Sequence, residues 1–271
     1  MLEYLFSAFR GSFSGTHAME PQLYERFFEV EERFWWSVGT RRVFFGIIDE
    51  LLDDRPARVL DVGCGTGIML KELSRGRRQA YGSDRSELAL SFCKKRGMAS
   101  LVRCDATQLP FATDCVDLVT ALDVIEHLDE DEACVREMAR ICRRGGHLLL
   151  HVPAFPFLWS DKDDLNHHRR RYRRGQLLRL VEGCNLRVER IFYFNCILFP
   201  VAVLRSLLQS AVPRREPPPI AEEAKTLDRL YRIPAWVNRV MIGLMDFERR
   251  LVTRYPIPFG MSLVCLAQKP R

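Results

Sequence analysis

Gly63, Gly65 and Gly67 follow the apolar run Val59-Leu-Asp-Val62. That spacing lays bare main chain at the end of a buried strand, where a side chain would clash with a ligand or forbid a positive φ angle. Asp61 stands near the strand's carboxyl edge, where open α/β sheets bind ligands; a carboxylate there favours hydroxyl donors or positive charge over phosphate. A dinucleotide fingerprint from Gly63 needs Gly or Ala at 68, which is Ile68, and a phosphate-cradling P-loop needs Gly-Lys-Ser/Thr, which never appears. Past a second apolar run comes Asp84, roughly 20 residues on, a spacing at which one carboxylate accepts two ribose hydroxyls.

Acids and imidazoles recur downstream. Asp123-Val-Ile-Glu-His-Leu128 supplies Glu126 and His127 just past another apolar run, and residues 161–174 hold Asp163, His167, His168, Arg170, Arg171 and Tyr172. Histidine is the natural group to take a proton from a hydroxyl or amine. An arginine cluster opposite a pocket recognises carboxylate or phosphate, while the same residues on an open face form an ordinary solvated charge run. Asp123, Glu126 and His127, with His151, His167 or His168, would also suit magnesium or manganese. No metal is assigned from the sequence, because nothing in it shows that the histidines meet.

The stretch Val59-Leu-Asp-Val-Gly-Cys-Gly-Thr-Gly67 resembles motif I of the class I S-adenosylmethionine (SAM) methyltransferases, Asp/Glu-x-Gly-x-Gly-x-Gly after an apolar strand. The resemblance implies an α/β fold with a Rossmann-like seven-stranded, mostly parallel sheet and an antiparallel last strand. It implies SAM as cofactor, with S-adenosylhomocysteine as product. Asp61, Gly63, Cys64, Gly65 and Gly67 would line it; Asp84 would hold the ribose, with Arg85 beside the adenine. Asp105 would accept from the adenine amino group, with the Ala106 backbone at the ring edge and Asp123 beside the methionine moiety.

Trp35-Trp36 followed by Arg41-Arg42 resembles an N-terminal pattern of bacterial methyltransferases of polysaccharide or natural-product assembly. That makes Trp35, Trp36 and Arg41 walls of an acceptor pocket, although packing of a cap onto the sheet explains the same aromatics. The Glu126-His127 segment resembles ubiquinone-biosynthesis O-methyltransferases and small-RNA 2′-O-methyltransferases, some of which hold a divalent metal there. The run from Asp163 to Tyr172 resembles an Asp…His-x-Arg-Arg-Tyr signature of the same bacterial branch as the Trp-Trp pattern. By that resemblance His127, His167 or His168 is the base, Tyr172 orients the acceptor, and Trp159, Arg170 and Arg171 contact it.

Apolar runs alternate with helix-period stretches from 57 to 267, which predicts right-handed βαβ crossovers. Strands are expected at 58–62, 79–83, 99–104, 116–122, 147–152, 187–195 and 260–267, and helices at 68–75, 87–96, 130–142 and 176–182. Arg143-Arg-Gly-Gly146 reads as the turn ending the fourth crossover helix. Residues 197–255 read as a helical insertion broken by prolines 217–219, with Trp236, Val240, Met241, Met245 and Val252 on one apolar stripe. The expected organisation is a helical cap over 1–53, a SAM-binding core over 54–195, a substrate cap over 196–256 and the last core strand over 257–271.

The net charge of +6 is a mild basic excess that does not by itself imply nucleic acid. Nine cysteines form no CxxC pair and are odd in number, so neither a disulfide framework nor a zinc knuckle is indicated, and a reducing cytoplasm is expected. Residues 1–13 are apolar but carry Glu3 and no basic start. Residues 191–204 stop short of the roughly 20 apolar residues a membrane span needs. The reading that gathers most residues is a methyltransferase acting, through oxygen, on a small-molecule or lipid-linked acceptor, with at most peripheral membrane contact. An RNA methyltransferase, suggested by the basic loop, and a non-catalytic SAM-binding scaffold at a membrane or partner surface stay open.

Overall fold

The computed structural model describes residues 21–53, 55–160, 163–164, 166–210, 233–252 and 254–271. The apolar start at 1–13 and the prolines at 217–219 lie outside them. The strands are β1 (Ala57–Val62), β2 (Arg78–Asp84), β3 (Leu101–Arg103), β4 (Val116–Leu122), β5 (Cys142–Pro153), β6 (Arg187–Phe194) and β7 (Ser262–Gln268). They form one sheet in the order β3-β2-β1-β4-β5-β7-β6, in which β7 alone runs antiparallel to its neighbours. A Rossmann-like sheet of this kind is buried on both faces, so its central strands carry continuous apolar runs. Val59, Leu60, Leu118, Val119, Leu148 and Leu149 are fully buried accordingly.

The helices are α1 (Pro21–Val30), α2 (Trp35–Leu52), α3 (Ile68–Leu73), α4 (Glu87–Lys95), α5 (Asp131–Ile141), α6 (Arg174–Gly183), α7 (Phe199–Ser210) and α8 (Ala235–Val252). Ser86 caps α4, its hydroxyl accepting from the Ala89 amide at 3.2 Å. Tyr24 and Phe28 of α1 pack on Phe92 of α4, which lays α1 across the carboxyl edge of the sheet. Further on, α8 packs along α2: Met245 fills the space above Gly39, and Asn238 accepts from the Trp35 amide and donates to the Arg33 carbonyl.

Two sequence expectations change. Residues 143–146 belong to β5, not to a turn closing α5, because the helix stops at Ile141 and Cys142 is already extended. The extra residues are absorbed as a register shift, with Val116 opposite Cys142 and Leu118 opposite His147, while Gly145 and Gly146 bond to Lys269 beyond β7. The apolar stripe of α8 also splits into two faces. Met241, Met245, Glu248 and Val252 turn inward, whereas Trp236 and Val240 are about 60% exposed; at 3.6 residues per turn those positions cannot share one side.

Candidate active site

The chain reverses direction across the sheet between β1 and β4, and the crevice at that switch point is where such sheets hold ligands. Val62 pairs with Ala121, so the two strands leave the sheet side by side and set Gly63 next to residues 123 and 124. A Cβ on Gly63 would lie 2.6 Å from Val124 Cγ2, and its φ is +67°. Glycine alone allows both the turn and the approach. Gly67, at φ +83°, starts α3, with Cys93 Sγ 2.8 Å from where its Cβ would be.

A cavity of about 240 Å³ opens over the loop. The sheet edge contributes Asp61, Gly63, Cys64, Gly65 and Asp123, and the N-terminal helices contribute Tyr24, Phe27, Glu31, Arg41 and Phe44. Glu31 accepts from the Thr66 hydroxyl and from Arg96, and Arg96 also donates to the carbonyls of Phe28 and Thr66. This clasp fastens α1 over the glycine loop. Helical spacing places Tyr24, Phe27 and Glu31 on one face, whereas Arg96, remote in the chain, carries no sequence signal of the contact. Arg41 was expected at the acceptor, but it faces the glycine-loop cavity, held by Glu72, the Glu31 carbonyl and Ser37.

Asp61 is buried, and its carboxylate accepts from Thr120 at 2.6 Å. Burial pushes its carboxyl up to about 7; the Thr120 bond opposes this and the nearby Asp84 carboxylate adds to it. The folded chain thus keeps a proton that the unfolded chain loses near pH 4, so stability falls as pH rises through that window from about 4 to 7. A cationic ligand would favour the ionised form instead. Its binding is expected to tighten as pH rises towards 7 and to release up to about one proton in mildly acidic buffer. Calorimetry in buffers of differing ionisation enthalpy reads that proton, and Asp61→Asn should abolish its release.

Further along the same edge, outside the cavity walls, lie Gly67, Asp84, Arg85, Asp105 and Ala106. Asp84 accepts from the Gly65 amide at 3.0 Å and the Ser86 amide at 2.8 Å, which ties β2 to the glycine loop. Asp105 accepts from the Thr107 amide and hydroxyl, which hold it below the usual carboxylate range. Arg85 and Asp105 are exposed and Ala106 is half-buried.

Beyond Asp123 the chain makes a short 3-10 turn, Ile125–His127, and residues 163–164 and 166–172 lie across it as a strap. The Arg169 amide donates to the Glu126 carbonyl at 2.7 Å, and the His127 and His168 rings meet edge to face at 4.8 Å. His168 Nδ1 lies 2.9 Å from Asp163, whose carboxylate also takes a two-pronged bond from Arg171. Burial, and then His168, pull His127 down to about 4. Glu126 is fully buried, its carboxylate oxygens accept no hydrogen bond from the described residues, and burial followed by Asp123 raises its carboxyl well above normal. His151, brought alongside by the β4–β5 pairing, sits 2.9 Å from Asp123 with its ring edge on Phe44. Burial opposes ionisation of Asp123, but His151, His168 and His127 outweigh it and hold the carboxyl below its usual range. Since that side chain is 53% exposed, water screens the effect and only its direction carries weight.

Several side chains expected at the acceptor are engaged elsewhere. Trp35 is buried beside Trp36 under α8, a packing position. Tyr172 is fully buried and donates to Asp131 at 2.7 Å, so its hydroxyl anchors the strap instead of facing a pocket. Arg170 pairs with Asp131 and Arg171 with Asp163, which turns both inward. Trp159 donates to Asp164. His167 occupies a left-handed turn position at φ 56°, and its neighbour His168 is the one that reaches His127. A run of basic residues shows its charge in sequence but not the direction each side chain takes.

Fold, bare glycine loop and flanking acids together have the form of a class I SAM-dependent methyltransferase domain. Residues 60–150 match the family model described as a methyltransferase domain. A ubiquinone biosynthesis O-methyltransferase of Marinobacter nauticus is 31% identical over 111 residues, covering 38% of this chain and 47% of that protein. The chain spans about half the length of the curated relatives it matches, from 39% to 63%. Among solved structures, a chain of the complex between the Haloferax volcanii Trm112 methyltransferase activator and its methyltransferase has a TM-score of 0.60 at 17% identity, over 94% of this chain and 99% of that one. The [4+2]-cyclase SpnF has a TM-score of 0.55 at 18% identity, over 97% and 88%. Likeness at that identity speaks for the fold alone, and a cyclase on this fold means that the reaction must be argued from the site.

Proposed function

We propose that the chain transfers the methyl group of SAM to an oxygen of a small-molecule or lipid-linked acceptor, with His127 taking the acceptor's proton. The observation that carries this reading is a juxtaposition at one sheet edge. The bare glycine loop with Asp61 and Asp123 opens beside an imidazole that burial keeps neutral at physiological pH. Asp61 and Asp123 would face the cationic end of the cofactor, Arg41 its carboxylate, and Asp84 its ribose.

Methyl transfer from a sulfonium needs in-line alignment and exclusion of water, which can lower the barrier by about 7–11 kcal/mol. The clasp of Glu31, Thr66 and Arg96 closes the cofactor side; the strap and the helices α2 and α8 would close the acceptor side. His168, steadied by Asp163, orients His127 and can share the proton it gains. Quinone-pathway O-methyltransferases among the relatives support an oxygen acceptor. Calorimetry with ligand-stripped protein tests the reading: uptake of SAM or S-adenosylhomocysteine is expected, and no uptake of either would end it.

One observation favours a metal-assisted form. Glu126, His127 and His168 place donor atoms within 4.8 Å of one another, and the Glu126 carboxyl, which burial holds well above its usual range, would ionise on pairing with a cation. The donor set fits a divalent ion of the manganese or zinc kind. Such an ion would supply Lewis acidity to an acceptor oxygen, with His127 then a ligand and not the base. Manganese or zinc is expected to raise the melting temperature of the full chain, and Glu126→Gln or His168→Ala to cancel the rise. An unchanged melting temperature in the wild type would leave His127 as the base.

A further inference from the structure

Among the described residues, every exposed large apolar side chain comes from one part of the chain, between 157 and 259. On α7, Leu204, Leu207 and Leu208 are 58–63% exposed; on α8, Trp236, Val240 and Phe247 are 59–60% exposed. The two helices are tied together where α7 begins, because the buried Glu248 of α8 accepts from the amides of Cys196 and Ile197. Phe199, at the start of α7, stacks on Phe259 at 5.3 Å and meets Phe157 at 6.4 Å. A shallow apolar groove lined by Phe199, Val203, Leu204, Leu207 and Phe259 runs along α7.

Among the described residues of 196–210 and 233–271, the exposed charge has one sign. Over 196–210 and the described part of 233–271 there are two acids, Asp246 and Glu248. Asp246 pairs with Arg42, and Glu248 is buried. Arg239 and Arg254 stand exposed on α8 and just past it. Helices that lie in a membrane interface combine Trp, Phe and Leu with arginine and lysine in this way. No described helix is long and apolar enough to cross a bilayer.

We propose that α7, α8 and the turn at Pro156–Leu158 form a docking surface for a bilayer containing anionic lipid. A second copy of the chain fits less well, since a two-fold contact over this face would bring two arginine rims together. The turn follows the carboxyl end of β5 directly, so the docked face adjoins the edge of the sheet that carries His151 and the strap. The proposal goes beyond the methyl-transfer reading and stands without it, because lipid binding is measured without turnover.

The test is flotation of the full chain with phosphatidylcholine vesicles, with and without phosphatidylglycerol. Wild type is expected to float with the anionic vesicles and to be released by salt. Each arginine near an anionic surface strengthens binding about fivefold, so Arg239→Glu with Arg254→Glu should weaken it more than tenfold and flatten the salt dependence. Leu204→Gln with Leu207→Gln should weaken binding as well, with an unchanged circular dichroism spectrum and melting temperature as the check on folding. Should that apolar pair misfold, the exposed arginine pair carries the test. Wild type left in the soluble fraction with both vesicles, or equal binding to both, would overturn the proposal. So would a wild-type dimer that the leucine substitutions dissociate, since a second copy would then cover the face.

Discussion

Asp84→Ala is expected to raise the dissociation constant for SAM about a hundredfold or more while leaving the sheet intact. Two ribose hydroxyls on one carboxylate are two charge-assisted hydrogen bonds, each contributing about 1.5–3 kcal/mol. Losing both removes at least about 3 kcal/mol, and each 1.4 kcal/mol is a factor of ten. The same change strips the Gly65 amide of its acceptor, so the glycine loop loses part of its preformed shape. The effect on folding should be smaller, because Asp84 sits at the end of β2 and burial already raises its carboxyl above the ordinary range. Titration calorimetry reads the loss; a dissociation constant within fivefold of wild type would remove Asp84 from the cofactor site.

His127→Ala should act on the other parameter. Loss of a general base costs about 10²–10⁴ in kcat, and SAM affinity is expected to stay within twofold, since His127 lies outside the glycine-loop cavity. With its pKa near 4, His127 is neutral over the physiological range, so wild-type kcat should be flat with pH and fall only as pH drops through about 4. The binding transition near 7 belongs to Asp61. Two pH dependences, one in affinity and one in turnover, thus separate two groups on neighbouring strands. Equal loss of SAM affinity in the two variants would refute this division of roles.

The contrast between those residues shows what could be read before folding. Asp61, the three glycines and Asp84 were legible because their meaning is local: an apolar run, a bare loop and an acid after the next run carry the geometry with them. Asp123 was legible for the same reason, as the residue that follows β4. His151 was named only as one of several metal ligands. Its place beside Asp123 follows from β4–β5 pairing, and no spacing along the chain announces that contact.

Arg96 and Glu31, 65 positions apart, fasten α1 over the glycine loop through a contact of which neither neighbourhood gives a hint. Tyr172, Arg170 and Arg171 advertised an acceptor site by type, and packing turned them onto Asp131 and Asp163.

The chain's own order of residues therefore determined the strand and helix sequence, the cofactor loop and the class of chemistry, because periodicity and turn chemistry act over a few residues. Tertiary structure alone decided which histidine faces which, which carboxylate is buried in the interior, and which apolar face remains outside. Those outcomes depend on the register of strands and the crossing of helices, in which groups far apart in sequence compete for the same space.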